Sequence, residues 1–66
     1  MDEKTVVKKI QSWRWRIAKA GLTQRDFCTH IEGLTESNLS QYILLQKKPR
    51  VLTFSKIEKR LEELGV

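Results

Sequence analysis

Apolar residues recur along this chain with the period of an α-helix, and three short breaks cut that period into four segments. Val6, Ile10, Trp13, Ile17 and Ala20 follow one another at intervals of four, three, four and three. That spacing lines one face of a helix and predicts a helix over 5–20, with Gly21 ending it as a residue that tolerates positive φ. Trp15 falls about 200° around the helix from Trp13, off the stripe. In the second segment Thr23-Gln24-Arg25-Asp26 has the form of a capping box, with Asp where Glu is usual, and Leu22 and Phe27 stand at the hydrophobic-staple positions. Phe27, Cys28 and Ile31 are predicted to face inward, and Glu32-Gly33 breaks this helix after about two turns.

Thr35 is the predicted N-cap of the third helix, with Glu36 in the first turn beside the positive end of the dipole. Leu39, Tyr42 and Ile43 give its inward face. Lys47-Lys48-Pro49 is predicted to end it, because the residue before a proline disfavours the α conformation. Phe54, Ile57, Leu61 and Leu64, at intervals of three, four and three, predict a last helix over 53–64, with Ser55-x-x-Glu58 as an alternative cap and Gly65 at C′. No segment shows the sustained alternation of a strand, so the expected class is all-α with four helices.

Length bounds what such helices can do. A chain of 66 residues is expected to form one domain, 1–66. It buries only roughly 60% of the surface exposed when unfolded. That leaves no room for a substrate cavity of roughly 300 Å³ or more. One cysteine, Cys28, excludes an intramolecular disulfide, and with one histidine, His30, a four-ligand zinc site is not expected. No apolar run approaches the ~18 residues of a membrane span, and no signal-peptide pattern opens the chain. No nucleophile, base and acid stand at a plausible spacing, and Glu62 and Glu63 belong to a solvated helix face. The expectation is a reduced, cytoplasmic, soluble domain without catalytic residues, metal, cofactor, membrane contact or small-molecule substrate. Its small core is expected to gain stability from a partner chain or ligand.

Charge narrows the partner. The formal net charge is +5, from 13 Lys and Arg against 8 Asp and Glu. Residues 1–22 carry Lys4, Lys8, Lys9, Arg14, Arg16 and Lys19 against Asp2 and Glu3. Residues 46–56 carry Lys47, Lys48, Arg50 and Lys56 with no acid. The intervening 23–45 and the terminal 57–66 are net acidic. Basic blocks of this kind can neutralise phosphates and release counterions, or they can simply be a solvated surface.

Two short helices joined by a tight Gly turn, the second opening with small polar residues, match what a helix-turn-helix requires. An αα-hairpin in a plain bundle has the same outline. The stretch Leu22-Thr23-Gln24, then Gly33-Leu34-Thr35-Glu36-Ser37-Asn38-Leu39-Ser40-Gln41-Tyr42, then Lys47-Lys48-Pro49 and the closing Leu64-Gly65-Val66, resembles the lambdoid phage repressor and Cro family of helix-turn-helix domains. The resemblance spans roughly residues 16–66. It implies a four-helix lambda-repressor-like bundle with its motif at about 23–45. It also implies a homodimeric, sequence-specific binder of double-stranded DNA, acting as a repressor at a short inverted-repeat operator. Three departures stand out: an extra residue near Glu32, Cys28 or Thr29 where the family has a small Ala, and the Leu44-Leu45 region where the family has Gly after the recognition helix.

Glu36, Ser37, Asn38 and Gln41 are the expected base-reading residues. Gln41 suits adenine through its amide, and Glu36 either accepts from cytosine or serves only the helix dipole. Gln24 and Arg25, at a helix N-terminus, are expected against phosphate, with Lys47, Lys48 and Arg50 as further phosphate contacts. Arg16 resembles a family arginine that braces a carboxylate, yet the position where its acidic partner would fall is near Ile43, which is not acidic. Leu44, Leu45, Leu52, Leu64 and Val66 exceed what the core needs and are the expected dimer interface. The alternative is a protein-interaction module on the same scaffold, such as an antitoxin or accessory subunit, presenting Trp15 and the Leu44-Leu45 region.

Overall fold

The computed structural model describes residues 3–66; Asp2, counted in the first basic block, lies outside the described residues. Among those residues there are four helices and no strand: α1 (Glu3–Lys19), α2 (Gln24–Thr29), α3 (Glu36–Ile43) and α4 (Val51–Glu63). None is long and apolar enough to cross a membrane.

The α1 stripe forms one wall of the core, burying Ile10, Trp13 and Ile17, with Val6 packed partly against it. α2 and α3 pack on each other and both on α1. They contribute Phe27, Cys28, Leu39 and Tyr42. α4 closes the core with Phe54, Ile57 and Leu61. The Trp13 and Phe54 rings meet at 5.5 Å between centroids, tilted by 40°. Leu34 and Pro49, in the two later connections, are also buried, so the loops plug the core as well as link helices.

The caps follow the local sequence. Thr23 Oγ1 accepts from the Asp26 backbone N–H at 3.1 Å, and the Asp26 carboxylate accepts from the Thr23 N–H at 3.4 Å. Asp thus closes the box in place of Glu, at a longer reach. Thr35 Oγ1 accepts from the Asn38 N–H at 3.1 Å.

Three helices end in the same Schellman closure. At α1, the Gly21 N–H reaches the Ala18 carbonyl and the Leu22 N–H reaches that of Ile17. At α4, Gly65 and Val66 repeat the pattern on Glu62 and Leu61. At α3, the same two bonds run from Leu45 to Tyr42 and from Gln46 to Gln41. Gly21 and Gly65 supply the left-handed residue with φ of 79° and 77°, whereas at α3 a leucine does so, Leu45, with φ of 60°.

That closure corrects the sequence reading of α3. The helix ends at Ile43 because its last carbonyls are satisfied at Leu45 and Gln46, well before Pro49. α4 in turn begins two residues earlier than its apolar pattern suggests, at Val51, directly after the buried Pro49 and with Arg50 at the N-cap making no side-chain cap bond. Ser55 lies within the helix, so Ser55-x-x-Glu58 is no cap. Leu64 and Val66, expected at a dimer interface, are partly buried against this chain's own core, because the Gly65 turn folds the C-terminus back over it. Ile43, expected to face inward, is only partly buried.

Candidate nucleic-acid interface

The surface with binding chemistry begins at the N-terminus of α3. Leu39 and Tyr42 are buried, which fixes the rotation of this helix about its axis. Ser37 and Gln41, four residues apart, lie on the other side, with Asn38 beside them. Glu36 and Ser37 are exposed, and Asn38 and Gln41 are half-buried. Thr35 engages only the Asn38 N–H, so the earlier N–H groups of the first turn, which no intrahelical carbonyl can reach, carry the positive end of the helix outward. Gln41 and Asn38 each offer an amide donor and acceptor, Ser37 a hydroxyl, and Glu36 an acceptor.

α2 presents a second capped N-terminus. Gln24 is half-buried at its first helical position and Arg25 is exposed beside it. The connection from α3 to α4 carries Lys47, Lys48 and Arg50, all exposed. It leaves α3 through the 2.9 Å bond from the Gln46 N–H to the Gln41 carbonyl, so the basic segment starts from the turn that carries Gln41. Among the described residues, no three His, Cys, Asp or Glu side chains converge as metal ligands would.

Cys28 sits beneath this region. Burial pushes its thiol pKa up, and the carboxylate of Glu36 adds to the effect. It is therefore a packed thiol and a poor nucleophile. His30 is exposed.

One interaction escaped the sequence reading. Arg16 does have a carboxylate partner, but on α4: its Nη1 lies 3.1 Å from Glu58 Oε2. Glu58 Oε1 also accepts from Trp13 Nε1 at 2.9 Å. Arg16 Nη2 and Nε donate to the Val66 carbonyl at 2.9 and 3.2 Å. The signal available in the sequence was Glu58 adjoining Ile57 at the edge of the α4 stripe, one place round from the core.

The apolar residues expected at an interface divide. Leu44, Leu45 and Leu52 are 60%, 49% and 67% exposed, and Val51, not expected there, is 84% exposed. Trp15 is exposed too, with Lys19 Nζ 5.9 Å from its ring centroid. No family model matches the chain, and no curated protein or solved structure matches it.

Proposed function

We propose that this chain is a sequence-specific double-stranded DNA-binding regulator, with α2 and α3 acting as a helix-turn-helix within a lambda-repressor-like bundle. The observation that carries the reading is the outward side of α3. Ser37 and Gln41 stand opposite the buried Leu39 and Tyr42, with Glu36 and Asn38 flanking them, and all four side chains are able to pair with base edges. The basic segment 47–50 follows directly. In this reading α3 enters the major groove, α2 meets the backbone through Gln24 and Arg25, and Lys47, Lys48 and Arg50 neutralise phosphates.

The proposed role is a phage-type repressor acting in the cytoplasm on a short inverted repeat. Leu44 and Leu52 are the apolar residues best exposed for a two-fold contact among those expected there. Such a pair would set two recognition helices about 34 Å apart, one turn of DNA.

Selection from a randomised duplex pool, followed by anisotropy titrations over a range of salt, tests this. Enrichment of an inverted repeat, bound cooperatively, is the expected result. Replacing Lys47 and Lys48 together with Ala should flatten the slope of log K against log salt by about 2, as each lysine neutralises one phosphate. Absence of any enriched site, with no salt dependence, would leave the protein-interaction module as the better reading.

A further inference from the structure

We propose that a groove beside Leu45 is a docking site for an apolar segment of another protein flanked by acidic residues. The first observation is Leu45 itself. Of the three Schellman closures, this one alone puts a residue with a Cβ in the left-handed region. Glycine would relieve that strain and lose only a side chain. The side chain is about half exposed, so the core does not hold it in this conformation. A strained residue whose side chain does little for folding points to a use for that side chain.

The second observation is what the side chain lines. Leu45 forms one wall of a cleft of about 190 Å³ with Val6, Val7 and Ile10 of α1. An adjoining cleft of about 260 Å³ is lined by Pro49, Val51 and Phe54, and the two share Val6 and Lys48. Together they make one apolar groove between α1 and the start of α4. Leu44 and Leu52 line neither cleft.

The rim selects the occupant. Lys47 and Lys48 border the groove, against the single carboxylate of Glu3 and the neutral Ser55. Each half of the groove has room for a large side chain used as an anchor. The two-fold contact proposed through Leu44 and Leu52 lies outside both clefts, so it leaves the groove open to a different partner. An amphipathic helix with apolar anchors at i, i+3 and i+7 and glutamates alongside them meets both the walls and the rim.

The test uses the isotope-labelled full chain without nucleic acid, because Lys47 and Lys48 are also the proposed phosphate contacts, and its outcome does not depend on whether the chain binds DNA. The probe is a synthetic amphipathic helix with that leucine spacing and flanking glutamates. Saturable amide shifts centred on Val6, Val7, Leu45, Lys48, Val51 and Phe54 are expected. Leu45→Asn, which keeps a residue tolerant of positive φ, should weaken binding by about tenfold or more. Thr29→Ser, at an exposed position that lines neither cleft, should leave it unchanged. Equal binding by a control peptide with serines for leucines would reduce the site to a basic surface and overturn the proposal. So would unchanged affinity in Leu45→Asn, no saturable shift at all, or the same shifts on concentrating the protein alone, the last of which would assign the groove to a second copy.

Discussion

Arg16 Nη1 and Glu58 Oε2 lie 3.1 Å apart, and this ion pair ties α1 to α4 across 42 residues of sequence. Both side chains are largely buried, at 16% and 20% exposure. Glu58 also accepts from Trp13, and Arg16 holds the Val66 carbonyl, so one carboxylate organises the central tryptophan, the arginine and through it the C-terminus. The pair is more than a surface ion pair, because removing either partner strands the other in a partly dry site.

Glu58→Ala should therefore cost about 2 kcal/mol of stability, with Glu58→Gln costing less because its amide oxygen still accepts from Trp13. Urea unfolding followed by tryptophan fluorescence gives both values. Equal losses for the two variants would mean that the hydrogen bond from Trp13 contributes nothing and that the charge on Glu58 carries the whole effect.

Leu45→Gly should raise stability by about 1 kcal/mol, since glycine adopts the left-handed conformation without the Cβ clash. The expected readout is a higher urea midpoint with an unchanged m-value. A lower midpoint would show that Leu45 contributes more through packing than its conformation costs.

The raised pKa of Cys28 has a pH signature. A thiol titrating higher when folded contributes stability that is fully present below the unfolded thiol's range and is lost as pH rises through the folded value. The wild type should lose more stability on going from neutral to alkaline pH than Cys28→Ala does. Alkylation of Cys28 should also be much slower in the native protein than in urea at the same pH. Matching pH profiles for the two proteins would count against the burial effect.

Gln41→Ala should narrow the gap between the preferred duplex and random duplex by about 1–3 kcal/mol while leaving random-duplex affinity nearly intact. Competition titrations measure both. A uniform loss on every duplex would make Gln41 a backbone contact.

Much of the architecture was legible along the chain because it depends on neighbours. The stripe through Ile10, Trp13 and Ile17, the Thr23 and Thr35 caps, and the glycine closures at 21 and 65 involve residues within about one turn of one another, and helix periodicity exposes them. The facing of α3 was legible in the same way. Once Leu39 and Tyr42 turn inward, Ser37 and Gln41 must turn out.

What the tertiary structure decided depends on elements far apart in sequence. Arg16 had a visible need for a carboxylate, but whether α3 or α4 supplied it depended on how the helices cross. Leu64 and Val66 looked surplus to the core until the turn at Gly65 laid them on it. Leu45 took a glycine's conformation because closing α3 at Ile43 satisfies its last carbonyls and lets buried Pro49 lead straight into α4. Local patterns specify helices through short-range sterics and hydrogen bonds; which side chain meets which across the core follows from packing all four together.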